Sequence, residues 1–218
     1  MPIKIIGVSG SPLPDSNTDR ALQIALAATG HQTEFIKLSD LSLAPCNACL
    51  GCIATNSCVL QDDGIKLAEK VFKANGLIIA GWTPYSTIDS RTKTFMERLY
   101  PLRHRHGLMA GKAGAAIITS AIPPGREGLP AAAELGVGAI ENYMLEEGMK
   151  FVGSVKVAGN VPCVRCGDTG QCSVSGLKMI FGHAATPSEV GINSLEESPA
   201  TIAALERLGS EVGAAVYG

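Results

Sequence analysis

The sequence predicts an α/β protein: a doubly wound, five-stranded parallel sheet with helices on both faces and two cysteine-rich loop insertions. Three observations carry that prediction. Short apolar runs of strand length alternate with longer segments whose apolar residues recur at helical spacing, the pattern of successive βα units. The short runs are nearly continuous, as strands covered on both faces must be. The seven cysteines fall in two tight clusters between these units.

Residues 3–8 form the first apolar run, which ends in the turn Ser9-Gly10-Ser11-Pro12. Ser16, Asn17 and Thr18 supply N-cap chemistry for a helix with Ala21, Leu22, Ile24, Ala25 and Ala28 as its apolar stripe, and Gly30 stops it. Residues 32–38 alternate and read as a second strand. Residues 45–58 follow neither a period of 2 nor of 3.6 and form a cysteine loop. Asp62 and Asp63 open the next helix with negative charge where the helix dipole favours it. Leu67, Ala68, Val71 and Phe72 form its stripe. Residues 76–80 are a third strand, 82–86 a loop, and 90–100 a helix with Phe95, Met96 and Leu99 on one side. Residues 113–119 are a fourth strand, 129–147 a long helix and 150–157 a fifth strand. Gly136-Val137-Gly138 falls inside the long helix and reads as packing. Residues 159–182 read as irregular and hold the second cysteine cluster; 194–216 form a closing helix. Five strands in this alternation suit the flavodoxin-like order 2-1-3-4-5. A single domain spanning 1–218 is expected, with cysteine loops at 45–58 and 159–182.

Composition bounds the function. Apolar residues make up 46% of the 218 and charged residues 17%, enough to bury a core. Eighteen basic against twenty acidic residues give a net charge of -2, with no basic excess for nucleic acid. The apolar runs are too short to span a bilayer, and the start lacks the apolar stretch of a signal peptide. A cytoplasmic protein without nucleic-acid or membrane partners is expected. An odd number of cysteines in such a chain argues for metal or redox chemistry rather than a disulfide framework.

Ligands of an open α/β sheet bind beyond the carboxyl ends of its strands. Three loops sit there: 9–18, 82–86 and 119–123. Ser9, Ser11, Ser16, Asn17 and Thr18 lead into a helix N-terminus, where hydroxyls, an amide and free N–H groups can surround a phosphate without a cation. Asp15 must then point outward. The loop is neither a G-x-G-x-x-G fingerprint nor a P-loop. Thr83, Pro84, Tyr85 and Ser86 can lie against a planar ring, with Thr119 and Ser120 as donors to its polar edge. Trp82 and Tyr85 equally suit ordinary edge packing.

Cys46-x2-Cys49-x2-Cys52-x5-Cys58 places three thiols within seven residues, with Asn47, Ala48 and Gly51 permitting tight winding. A compact run of this kind suits an iron–sulfur cluster; cluster-free thiols and zinc are the other readings. Cys163-x2-Cys166-x5-Cys172 repeats the spacing one cysteine short. It reads as a loop packed near the first cluster; a thiol pair, or a second cluster with Asp168 or His183 as fourth ligand, are the other readings. His104 and His106 read as a solvated helix end.

The set Gly7-Val8-Ser9-Gly10-Ser11-Pro12, Ser16-Asn17-Thr18, the four-cysteine loop after Pro45, Asp62-Asp63, and Thr83-Pro84-Tyr85 with Lys93 and Arg98 downstream resembles the NADPH-dependent FMN reductase superfamily. Within it the chain resembles the iron–sulfur flavoproteins. That resemblance implies FMN held by Ser9, Ser11, Ser16, Asn17, Thr18, Thr83, Pro84, Tyr85, Ser86, Thr119 and Ser120, and a [4Fe–4S] cluster on Cys46, Cys49, Cys52 and Cys58. It implies a homodimer or homotetramer that takes electrons from ferredoxin or NAD(P)H and delivers them to a small acceptor. It requires no acid or base residue. A cluster-free NAD(P)H-dependent FMN or quinone reductase, and a non-catalytic thiol or zinc sensor, are the alternatives.

Overall fold

The computed structural model describes residues 3–166 and 172–217. Five strands, β1 (Lys4–Ser9), β2 (Gln32–Lys37), β3 (Gly76–Trp82), β4 (Ala113–Ser120) and β5 (Lys150–Ala158), pair in parallel in the order β2-β1-β3-β4-β5. β2 adds to one side of β1 and β3 to the other. The connections leaving β1 and β3 therefore diverge, which opens a crevice at their carboxyl ends.

Eight helices occur among the described residues: α1 (Asn17–Ala28), α2 (Gly64–Lys73), α3 (Ser90–Arg98), α4 (Ala132–Glu146), α5 (Cys163–Cys166), α6 (Gly176–Phe181), α7 (Pro187–Val190) and α8 (Pro199–Ala215). Strand residues alternate between two cores. Ile5, Ile78 and Ile117 pack under α1 and α8, while Ile6, Ile79 and Ile118 pack under α2, α3 and α4. All six isoleucines are fully buried, each contributing about 1.5–3 kcal/mol of transfer free energy. Small residues also let α8 lie directly on α1. A Cβ on Gly209 or Gly213 would stand 2.1 Å from the carbonyl oxygen of Ala25 or Thr29.

Element bounds differ from expectation where proline or length intervenes. α3 stops at Arg98, and Pro101 turns residues Tyr100–Leu102 into a 3-10 turn. α4 begins at Ala132, behind Pro130. The closing helix begins at Pro199, after a separate 3-10 turn at Leu195–Glu197. Residues 159–182 are not simply irregular: α5 and α6 lie within them. Ser175 caps α6 by accepting the Lys178 N–H, and Leu177 and Ile180 form a small core with Val161. Helices of four and six residues hold too few positions for a 3.6 period to register.

Candidate functional site

The β1 loop is built around a buried carboxylate. Ser9, the last residue of β1, is fully buried and donates its hydroxyl hydrogen to Asp19 Oδ1 at 2.6 Å. Ser16 caps α1 by accepting the Asp19 N–H (3.2 Å), and Asp19 Oδ2 accepts the Ser16 N–H (3.2 Å), a reciprocal capping box. Lys37 Nζ meets the Asp19 charge at 2.5 Å. Ser11 is buried and accepts the Leu13 N–H. The Asn17 amide donates to the carbonyls of Ala158 and Asn193, and the Thr18 hydroxyl donates to Thr119 at 2.9 Å. Ser9, Asn17 and Thr18 therefore spend their side-chain donors as struts, whereas Ser11, like Ser16, only accepts there. The Ser16 hydroxyl hydrogen and the N–H groups of Asn17 and Thr18, which have no intrahelical acceptor, remain for an anion at the positive end of α1. The Asp15 side chain is 79% exposed and turned to Arg20, as an anion site there requires.

Gly10 follows directly. A Cβ on it would lie 2.0 Å from Thr92 Oγ1 and 2.7 Å from both Asp89 carboxylate oxygens. Asp89 is buried at the start of α3, accepting from the Trp82 N–H, the Thr92 N–H and the Thr92 hydroxyl. Burial pushes its carboxyl above the usual range, and these donors offset part of that. Asp89 thus joins the loops of β1 and β3.

The β3 loop holds an aromatic ring in solvent. Pro84–Ser86 make one 3-10 turn in which Tyr85 and Ser86 take left-handed φ values of 50° and 62°, and Tyr85 is fully exposed. Left-handed backbone costs about 1–2 kcal/mol per residue. Thr83 begins this turn, and a Cβ on Gly136 of α4 would press on its methyl at 3.1 Å, so Gly136 does serve packing. Thr119 and Ser120 end β4, where Ser120 Oγ accepts the Ile122 N–H.

The first cysteine loop is wound between two anchors. Ala48, Leu50 and Asn56 take positive φ, whereas Gly51 is required for space: its Cβ would meet Val59 Cγ1 at 2.8 Å. The Asn56 amide donates to the carbonyls of Pro101 and His104 at 2.7 Å each, fastening the loop to the end of α3. The other anchor is Asp62. Its carboxylate accepts from the Ala44 N–H, the Gly64 N–H and, through both oxygens, Arg98 Nη1 (2.6 Å) and Nη2 (2.7 Å). The Arg98 guanidinium holds the Asp62 carboxyl down to about 2. Of the two acids expected to open α2, Asp62 is committed to a buried arginine, and Asp63 at the N-cap accepts the Ser42 N–H.

Cys46, Cys49, Cys52 and Cys58 line one pocket with Arg98, Tyr100 and Pro101. Cys52 is the most buried, and burial pushes its thiol up, with the Cys58, Cys46 and Cys49 sulfurs adding to the rise. Among the described residues no group of three or more His, Cys, Asp or Glu side chains converges to hold a single metal ion. Four thiols lining one pocket supply the number and kind of ligand a [4Fe–4S] cluster takes, one thiolate on each iron. The donor set fits such a cluster.

The other sequence candidates among the described residues do not line this pocket. Cys163 sits on α5 beside the Ser175 hydroxyl, and Cys166 and Cys172 are exposed. Asp168 lies outside the described residues, and His183 is exposed. His104 is not a solvated helix end. Its ring stands edge-on to Tyr100 at 4.9 Å, and its Nε2 is buried without a partner among the described residues. Lys93 pairs with Glu97 on the exposed side of α3. Sequence reasoning missed Asn56, Asp89 and the pairing of Asp62 with Arg98. Only Asp89, three residues before a helical Thr, carried a local capping signal.

A five-stranded 2-1-3-4-5 sheet with three loops at its switch point defines a flavodoxin-like protein. The structure superposes on a flavodoxin from the domain Archaea with a TM-score of 0.55 and 14% identity, covering 99% of this chain and 100% of that one. The model of the NADPH-dependent FMN reductase family matches residues 3–136, and the chain belongs to that family. It is 33% identical over 171 residues to an iron-sulfur flavoprotein of Methanocaldococcus jannaschii, covering 77% of this chain and 82% of that protein. It is 29% identical over 162 residues to an iron-sulfur flavoprotein of Methanosarcina thermophila, covering 73% and 82%. The protein is an FMN-dependent oxidoreductase or electron-transfer flavoprotein that works between an electron donor and an acceptor. Among the described residues, no helix is long and apolar enough to cross a membrane.

Proposed function

We propose that the chain, acting as one cytoplasmic domain in a homodimer or homotetramer, is an iron–sulfur flavoprotein. It would move electrons between a [4Fe–4S] cluster and FMN, from a ferredoxin-like or reduced pyridine nucleotide donor to a small two-electron acceptor. The observation that carries this reading is the single pocket lined by Cys46, Cys49, Cys52 and Cys58, in a chain similar to two iron-sulfur flavoproteins. When bound, the two groups would supply one-electron and two-electron chemistry side by side.

The residues divide the work. The four cysteines hold the cluster, and the Asn56 and Asp62 anchors fix their loop. Ser16 and the first N–H groups of α1 hold the flavin phosphate, braced by Ser9, Ser11, Asn17 and Thr18. Thr83, Pro84, Tyr85 and Ser86 lie along the ring, with Thr119 and Ser120 at its polar edge. The Thr18–Thr119 hydrogen bond keeps the phosphate and ring loops in register. No side chain is assigned as an acid or base.

The test is a purification without oxygen, with a visible spectrum and assays for iron, acid-labile sulfide, zinc and flavin on one sample. About four iron, four sulfide and one FMN per chain is the expected result. FMN without iron after anaerobic reconstitution would transfer the assignment to a cluster-free NAD(P)H-dependent FMN or quinone reductase. Stoichiometric zinc with no flavin would make the protein a sensor.

A further inference from the structure

Arg98 is 2% exposed, and its side chain is the largest of those fully buried. A guanidinium has five N–H donors. Nη1 spends both of its own on the Ala44 carbonyl (2.7 Å) and Asp62 Oδ2 (2.6 Å), and Nη2 spends one on Asp62 Oδ1 (2.7 Å). The Nε–H and the second Nη2–H are left over. Because the group is planar, these two share one edge and point the same way. Nε has no partner among the described residues. Arg98 nevertheless lines the thiol pocket beside Cys46, Cys49, Cys52 and Cys58. Asp62 uses both carboxylate oxygens to hold the guanidinium, so it cannot also occupy the free edge. The other charged side chain lining the pocket is Glu97, whose carboxylate is turned to Lys93 at 2.9 Å.

We propose that Arg98 is the charge partner of the thiol pocket, held in place by Asp62 and presenting its two free N–H groups to sulfur. This rests on the iron–sulfur reading and deepens it. Four thiolates and the cluster they carry are anionic, and each added electron makes them more so. A buried cation that donates to sulfur favours the more negative state and so raises the reduction potential. Lysine keeps the charge but has neither the fork for Asp62 nor the second edge.

The experiment compares wild type, Arg98→Gln and Arg98→Lys, each purified and reconstituted without oxygen. FMN, iron and sulfide are assayed, and the cluster potential is read from a reductive titration followed by electron paramagnetic resonance. All three proteins are expected to retain FMN. In Arg98→Gln the equilibrium should shift at least tenfold against the reduced state, about 59 mV for one electron. Arg98→Lys should fall between the other two. If Gln loses its iron, retention of iron by Lys supports the charge role. Lys and Gln that behave alike overturn the proposal, whether both match wild type, both lose iron, or both lose iron and FMN together. Wild type without iron overturns the iron–sulfur reading instead, so the two failures are distinct.

Discussion

Gly64 and Arg98 share one space: a Cβ on Gly64 would lie 2.6 Å from Arg98 Nη2 and 2.8 Å from its Cζ. The first residue of α2 is bare because the guanidinium rests against it. The cysteine loop, the start of α2 and the end of α3 are thereby locked into one assembly.

Gly64→Ala tests that lock. The added methyl also meets Leu43 at 2.8 Å, so it has nowhere to go without moving the arginine. Overpacking of this kind costs about 1–3 kcal/mol, a fall in Tm of roughly 2–12 °C for a chain this size. Thermal unfolding and iron content, measured together, should both fall.

The Asp62–Arg98 pair should shape the acid limb of stability. The Asp62 carboxyl is held at about 2, below its ordinary 3.8, by Arg98 first and by the N–H groups of Ala44 and Gly64. A depressed carboxyl stabilises the fold fully above its unfolded value. That contribution is lost as pH falls from about 4 through 2, and amounts to about 2 kcal/mol. Asp62→Asn should therefore be less stable than wild type at pH 7, with the gap closing towards pH 2. Urea unfolding of the cluster-free proteins across that range checks it.

Ser16→Ala removes the cap of α1. A lost cap costs about 1 kcal/mol, visible in urea unfolding. The same change removes a hydroxyl from the candidate phosphate site, so FMN affinity should fall several-fold in a flavin fluorescence titration. Stability loss with unchanged affinity would restrict Ser16 to the cap.

Tyr85→Ala separates binding from folding. The ring is fully exposed, so stability should stay within about 0.5 kcal/mol of wild type. A stacking partner is worth about 0.5–1.5 kcal/mol, roughly two- to tenfold in FMN affinity. Equal affinity for both proteins would place the tyrosine away from the ring.

Cys49→Ala should remove most of the iron and leave FMN bound, because Cys49 lines the thiol pocket and not the candidate flavin loops. Cys163→Ala should leave iron content unchanged, since Cys163 lies on α5 beside Ser175. Full iron in Cys49→Ala would remove that residue from the ligand set.

The local code of this chain is unusually readable, and the reasons are physical. Continuous apolar runs mark strands covered on both faces, and Ser16-Asn17-Thr18 carries its own capping chemistry. Those signals, with the alternation of strands and helices, determined the parallel sheet, its strand order and the positions of both cysteine clusters. Tertiary structure decided what the polar residues do there. Ser9, Asn17 and Thr18 became struts because Asp19, Asn193 and Thr119 arrive beside them from elsewhere in the chain. Residues 163–166 and 176–181 became helical with too few positions to announce a period. Arg98 lies 36 positions from Asp62 and 54 from Ala44, and no sequence spacing records such a meeting. A hydrogen bond between distant residues is specified by the packing of the elements that carry them, and only the folded chain brings the arginine to the thiols.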